Sequence, residues 1–219
     1  MEPASATPER LRADARRNRE RIVAAAAEAF AEHGLDIGTA EVARRAGVGE
    51  ATLFRRFPTK HHLVVAVVEA RVRSLADTAR ACLEDADPEA GLRRFVEEAV
   101  ALHVRDRALT EHGGIQLSCE PALHPLRDEV VAAVAGLVGA ARDVGAVRSD
   151  VEGVDILVLV KAIAAAGADL ESECPGLWRR YVAVVLAGLR PGAAPEPLPV
   201  APPTVEEAER AMMRRGGRG

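Results

Sequence analysis

Aromatic residues are scarce in this sequence, in which four Phe, one Trp and one Tyr account for 3% of 219 residues. Strands favour aromatic and β-branched side chains, whereas Ala and Leu, which are abundant here, lose little freedom in a helix. The composition therefore predicts an all-α fold. An apolar content of 48% lets a chain of this length bury a substantial core.

Cysteines and long apolar runs are also lacking. Cys82, Cys119 and Cys174 lie far apart without any CxxC spacing, which argues against a disulfide framework and a cysteine zinc site and favours a reducing compartment. The most apolar run, residues 154–170, is interrupted by Asp155 and Lys161, and residues 1–10 contain no apolar signal core. We therefore expect a cytoplasmic protein that does not enter a membrane.

Motifs for catalysis are missing as well, since there is no nucleophile elbow, phosphate-binding loop or dinucleotide fingerprint. The residues that could in principle supply acid–base or thiol chemistry are His103, His112, His124, Cys119 and Glu120. Their spacing does not define one helical face, so we interpret them as ordinary surface or core residues. The adjacent His61 and His62 point in different directions on a helix and have no visible third ligand. No catalytic residue, metal site or cofactor is predicted.

Charge is distributed unevenly along the chain. The net charge is −4, but residues 1–62 contain 11 Lys/Arg against 9 Asp/Glu, or +2, and the remainder contains 18 against 24, or −6. Arginines cluster near the start, at Arg10, Arg12, Arg16, Arg17, Arg19 and Arg21. This local basic patch is either a footprint for phosphate or a solvated charged face.

The N-terminal 62 residues predict a flexible basic arm, 1–13, and a small helical domain, 14–62. From a cap at Asp14, apolar residues recur at helical spacing as far as Phe30, and Gly34 stops the helix. Thr39 is the expected N-cap of a second, short helix that Gly47 ends in a left-handed turn. A third helix then buries one side and leaves the others polar. Two short helices joined in this way are typical of a helix-turn-helix.

The stretch from Arg16 to Leu63 closely resembles the N-terminal domain of TetR-family transcriptional regulators. The resemblance rests on TAEVARRAGV, ATLFRRF and PTK, with the matching positions Phe30, Gly34, Ala43, Gly47, Val48, Thr52, Leu53, Phe57 and Lys60. Three residues depart from the family pattern. Gly49 stands where serine is common, Ala51 where glycine is common, and Phe54 where a tyrosine usually gives its hydroxyl to a phosphate.

The resemblance implies that Thr39, Thr52 and Lys60 bind phosphates and that the exposed side of the third helix enters the DNA groove. The complete predicted DNA-binding set is Thr39, Glu50, Ala51, Thr52, Phe54, Arg55, Arg56 and Lys60. Lys60 is one of only two lysines beside 27 arginines. Arg55 and Arg56 could read guanine edges or hold the backbone. Glu50 could accept from a cytosine amino group or stabilise its helix start.

Residues 63–190 predict a helical effector-binding and dimerisation domain, and VRSD, RRY and GLRP resemble the SbtR-like branch of the family. The predicted effector pocket contains Phe95, Val96, His103, Ile115 and Val134. A later helix within residues 151–170 is apolar almost all round and must be covered on every side, and the helix after it has apolar residues at helical spacing. TetR-like proteins commonly place such helices in a four-helix dimer interface, which here would contain Leu157, Lys161, Trp178, Val182 and Val185. Residues 191–219 predict a Pro-rich tail with a short terminal helix.

These features predict a homodimeric repressor that binds a near-palindromic DNA operator, with two recognition helices in major grooves ~34 Å apart. A small apolar or amphipathic effector of unspecified identity would release it. Two alternatives remain: a constitutive DNA-binding regulator without an effector, and an all-α enzyme or scaffold with a fortuitous helix-turn-helix pattern.

Overall fold

The structure is a computed structural model that describes residues 8–105, 120–192, 196–208 and 210. This part of the chain is all-α and contains no strand, as the composition predicted. Its helices are α1 (Pro8–His33), α2 (Thr39–Arg45), α3 (Glu50–Arg56), α4 (Lys60–Leu83), α5 (Pro88–Arg105), α6 (His124–Asp143), α7 (Gly153–Leu170) and α8 (Trp178–Gly188). A 3₁₀ turn, Pro121–Leu123, precedes α6.

The chain separates into two compact units, Met1–Ala70 and Arg71–Gly219, so that the boundary falls within α4 and not between residues 62 and 63. The reason is that α4 continues without a break, and Leu63 and Val67 in its first two turns are fully buried. The apolar core of the first unit also includes Ile22, Phe30, Val42 and Leu53.

Helix α1 begins at Pro8, six residues before the predicted start at Asp14. Proline is suited to a first helical turn because the N–H that it lacks has no helical partner there. Asp14 is not a cap but accepts a hydrogen bond from Arg17 within the helix. Residues 8–13, which the sequence assigned to a flexible arm, are therefore part of α1.

The turn between α2 and α3 follows the prediction closely. Gly47 has φ of 64°, a left-handed conformation that side chains with a Cβ disfavour, and Val48 then donates to the Ala43 carbonyl at 3.0 Å. The predicted cap of α2 is wrong. Gly38 is the N-cap, without a side-chain hydrogen bond, and Thr39 is the first helical residue. The Thr39 hydroxyl is therefore not used as a cap.

In the second unit, α5 packs against α6, α7 and α8 around one continuous core. Asp87 caps α5 by accepting hydrogen bonds from the backbone N–H groups of Glu89 at 3.0 Å and Ala90 at 3.3 Å. Glu152 and Asp155 form a capping box at the start of α7. Caps thus determine where α5 and α7 begin, and packing determines where the two helices lie.

The Pro-rich tail is held against its own unit by a latch formed by Arg148 and Asp150. Arg148 donates to Asp150 through Nε at 2.5 Å and Nη2 at 2.8 Å, and Nη2 also reaches the Glu196 carbonyl at 2.5 Å. Asp150 Oδ2 in turn accepts from the Leu198 backbone N–H at 3.0 Å. The predicted short terminal helix begins at residues 205–208, where Thr204 and Glu207 form a reciprocal cap.

We expect Asp150→Ala to release the tail and to increase the rate at which elastase cleaves the Val200–Ala201 bond severalfold, as followed by mass spectrometry. The hydrogen bonds from Arg148 and then from the Leu198 N–H lower the pKa of Asp150 to about 2. The charged latch is therefore intact above the ordinary aspartate pKa and is lost only as the pH falls towards 2, so protection should be constant between about pH 5 and 8. Cleavage as slow as in the exposed-neighbour variant Ser149→Ala would contradict the latch.

Candidate nucleic-acid interface

Helix α3 is anchored by one side and exposed on the others. Leu53 is fully buried and Phe57, at the C-cap, is 3% exposed. The side chains of Glu50, Ala51, Phe54, Arg55 and Arg56 are exposed, and that of Thr52 is half-buried. A short helix that needs only two residues for its own core can present the rest to a partner.

The helical repeat determines where each exposed side chain of α3 lies. At about 100° per residue, Ala51 and Arg55 lie nearly opposite the buried side defined by Leu53 and Phe57. Phe54 and Arg56 lie on the two flanks, each about 80° from the buried side. The burial of Leu53 and Phe57 therefore places Arg55 at the centre of the exposed face and Arg56 on its flank.

Two arginines of α2 are already engaged by carboxylates. Glu41 accepts from Arg44 Nε at 2.7 Å and from Arg45 Nε at 2.9 Å, and Arg45 Nη1 also reaches Glu32 of α1 at 2.6 Å. The hydrogen bonds from Arg44 and then from Arg45 lower the pKa of Glu41 to about 2. This network joins α2 to α1. Because the pKa of Glu41 is so low, its ion pairs with Arg44 and Arg45 persist throughout the neutral pH range.

Arg55 and Arg56 differ from the α2 arginines. Within the described part of the chain, neither makes a side-chain hydrogen bond or ion pair. Guanidinium groups present planar, fixed donors that match guanine edges and phosphates. These two side chains are therefore available to nucleic acid without first breaking an internal salt bridge.

Lys60 is the first residue of α4 and is half-buried. The preceding residue, Thr59, accepts the His62 backbone N–H at 3.3 Å, and its hydroxyl lies 2.7 Å from His62 Nδ1. A capped helix start with a lysine is favourable for an anion because the first backbone N–H groups point outwards. His61 and His62 stack edge to face, 6.3 Å apart, and no group of three potential metal ligands occurs among the described residues.

Arg19 has a role that the sequence did not reveal. The sequence places it only in the basic N-terminal patch, but its guanidinium lies 5.7 Å from the centre of the Phe57 ring, and its Nη2 is 3.3 Å from Glu69 of α4. Such a cation–π contact joins α1 to the end of α3. Arg19 therefore helps to fix the orientation of α3, and no local sequence pattern could have indicated a contact across 38 residues.

The residues predicted to line an effector pocket do not share one environment. Phe95, Val96 and Val134 are buried together in the core of the second unit, and Ile115 lies outside the described residues. His103 is half-buried, with Nδ1 2.8 Å from the Ala99 carbonyl. Burial lowers its pKa, and the positive charges of Lys161 and Arg71 lower it further. His103 is thus held neutral beside two cations.

The predicted dimer-interface residues also divide. Lys161 is exposed, and Leu157 and Val185 are half-buried, whereas Trp178 and Val182 are only 5% and 1% exposed. The prediction for Trp178 and Val182 is therefore wrong, because both side chains pack into the core of the second unit. The large apolar residues exposed on α7 and α8 are Val158, Tyr181 and Val184.

No helix in the described ranges is both long and apolar enough to cross a bilayer. A comparison with curated proteins gives no match. Two family descriptions match the chain. Residues 22–67 match the bacterial regulatory proteins of the tetR family, and residues 87–191 match the C-terminal domain of SbtR-like transcriptional regulators.

Solved structures agree with these matches. A TetR transcription regulatory protein from Mycobacterium vanbaalenii is 37% identical, covers 83% of this chain and 99% of its own, and has a TM-score of 0.66. The TetR transcriptional regulator SCO0520 from Streptomyces coelicolor is 30% identical, covers 80% and 99%, and has a TM-score of 0.65. Proteins of this kind bind DNA and are not enzymes. The fold, the exposed α3 and these similarities together establish that the chain belongs to the TetR family of transcriptional regulators.

Proposed function

We propose that this regulator is a homodimeric repressor that leaves its operator when a small molecule binds to the second unit. The observation that carries the DNA-binding part is the exposed face of α3, where Arg55 and Arg56 have no internal partner among the described side chains. Two copies of α3 would lie in successive major grooves, ~34 Å apart, on a near-palindromic operator.

The contacts to DNA follow from position on the helices. Arg55, opposite the buried side of α3, would reach base edges, while Arg56 on the flank would contact the backbone. Thr39, Thr52 and Lys60 would hold phosphates at the margins of the groove. Glu50 lies in the first turn of α3, where its charge stabilises the helix start.

Dimerisation is supported by an apolar face on α7 and α8. Val158, Tyr181 and Val184 are 41%, 36% and 60% exposed, and the half-buried Leu157 and Val185 adjoin them in sequence. Exposed apolar surface of this kind is what association removes from water. Lys161 is exposed on α7 and would lie at the edge of the same face.

The effector part rests on the second unit. The regulator FadR from Bacillus subtilis has been solved in complex with stearoyl-CoA; it is 15% identical, covers 78% of this chain and 99% of its own, and has a TM-score of 0.56. In our protein an amphipathic effector would place its apolar part against the core that contains Phe95, Val96 and Val134. Its polar end would meet His103, Arg71 and Lys161, whose charges influence one another.

Release requires that the effector prefer a conformation that cannot bind both half-sites, because a ligand shifts an equilibrium only by its differential affinity. A constitutive regulator would show no such difference. Fluorescence polarisation of a labelled operator, with and without candidate acyl thioesters and fatty acids, distinguishes an effector-released repressor from a constitutive regulator. An operator affinity unchanged by every compound shown to bind the protein would favour the constitutive alternative.

Lys60→Ala is expected to weaken operator binding at every sequence and to reduce the salt dependence. Each phosphate contact contributes a slope of about −0.9 in log K against log salt, so a dimer should lose about two units of slope. The measurement is a polarisation titration at several salt concentrations with duplexes selected from a random pool. Lys60→Arg should restore most of the slope, and Arg93→Ala, on the exposed face of α5, should not change it. A Lys60→Ala slope equal to that of Arg93→Ala would exclude the phosphate role.

A further inference from the structure

Phe54 is the most exposed aromatic residue of the chain, with 42% of its surface accessible, and it lies in the middle of α3. The other phenylalanines, Phe30, Phe57 and Phe95, are almost completely buried. We propose that Phe54 contacts the C5-methyl group of a thymine in each half-site of the operator and so selects for thymine at that position. This inference rests on the proposed placement of α3 in the major groove.

The chemistry of the side chain narrows its possible partners. A phenyl ring has no hydrogen-bond donor for a phosphate and no acceptor for a base amino group. The thymine methyl is the apolar group that the four bases present in the major groove. Contact with that methyl is therefore the form of direct base recognition open to Phe54.

The position of Phe54 fits the same partner. The ring projects from a flank of α3, about 80° from the buried side, and not from the centre of the exposed face, which Arg55 occupies. The thymine methyl lies at the side of the groove, next to the sugar–phosphate chain of its own strand. A flank residue can reach this group while Arg55 addresses the floor of the groove.

The environment of the ring leaves it open to DNA. Leu53 and Phe57 supply the anchoring of α3, and Arg19 stacks on Phe57, so the brace to α1 does not involve Phe54. Its neighbours Arg55 and Arg56 are exposed and can bring phosphates and bases close to the ring. Removal of the phenyl group should therefore alter recognition without removing an internal support.

The test uses duplexes selected from a random pool by the full-length protein. Each thymine of the selected site is replaced singly by deoxyuridine, which deletes only the methyl group. At one symmetric position per half-site we expect wild-type affinity to fall about fourfold per methyl, from the transfer free energy of one buried methyl-sized group, and about 15-fold when both are deleted.

Phe54→Ala should bind the thymine duplex more weakly and show no further loss with deoxyuridine, while Phe54→Leu should retain part of the methyl dependence. Arg93→Ala should behave as wild type. Equal wild-type affinity for every deoxyuridine duplex, or an undiminished methyl effect in Phe54→Ala, would overturn the inference while leaving DNA binding intact. Failure of the wild-type protein to select any duplex would overturn both this inference and the proposed operator binding.

Discussion

Arg55→Ala should weaken operator binding at least about thirtyfold and abolish the preference for one base pair in each half-site. A bidentate contact to a guanine discriminates by about 1–3 kcal/mol, and a dimer loses two of them, so the combined effect is ~2 kcal/mol or more. The side chain lies opposite the buried side of α3 and makes no ion pair in the part of the chain that is described. Its removal therefore leaves no internal charge unpaired.

Arg56→Ala is the matched comparison, because it removes the same group from the flank of the same helix. We expect it to weaken all duplexes by a similar factor and to reduce the salt slope, as a backbone contact does. The measurement is the affinity of both variants for a panel of duplexes with single base-pair changes. If Arg55→Ala weakened every duplex equally and left the pattern of preference unchanged, base recognition by Arg55 would be excluded.

The points at which the N-terminal chain turns could be predicted because they depend on local chemistry. Gly34 and Gly47 have φ of 74° and 64°, which a glycine adopts at little cost and other residues do not. Leu53 and Phe57 lie four residues apart and both are buried, so the orientation of α3 was also evident from spacing. These local signals determine most of the candidate interface.

The prediction for the dimer interface failed for a physical reason that residue spacing cannot show. The helical spacing of Trp178 and Val182 predicts an apolar stripe, but a pattern shows only that a face must be covered and not which surface covers it. In the structure the core of the second unit covers it, and the exposed apolar side of α8 is the one with Tyr181 and Val184. The Arg19–Phe57 contact likewise depends on tertiary packing.

The two units also differ in what their sequence reveals. In the first unit, function depends on exposed residues at fixed offsets from a buried anchor, so a motif of about 20 residues carries the information. In the second unit, ligand recognition would depend on side chains from α4, α5 and α7 that are far apart in sequence, such as Arg71, His103 and Lys161. The packing of these three helices, and not the spacing of residues along the chain, brings the three side chains close together.

Gly91→Ala is expected to destabilise the second unit by overpacking the contact between α5 and the end of α4. A Cβ at Gly91 would lie 2.5 Å from the Cys82 carbonyl oxygen and 3.2 Å from Asp85 Cβ, so α5 and the end of α4 would have to separate. Arg94 opposes that separation, since its guanidinium binds Asp85 at 2.9 Å and the Ala81 carbonyl at 3.2 Å. Overpacking of this kind costs about 1–3 kcal/mol, which outweighs the gain of up to ~1 kcal/mol in helix propensity.

Gly139→Ala is the matched control, because Gly139 also lies inside a helix, α6, but an added methyl group there would meet no atom within 4 Å from elsewhere in the described part of the chain. At this position the substitution changes only the helix propensity, so the variant should be more stable than wild type by up to ~1 kcal/mol. The unfolding temperature measured by calorimetry should therefore fall for Gly91→Ala and rise for Gly139→Ala, by about 2–4 °C per kcal/mol. A Gly91→Ala variant that unfolds at or above the temperature of Gly139→Ala would show that α4 and α5 can part without cost, since the two substitutions add the same methyl group to the same kind of backbone.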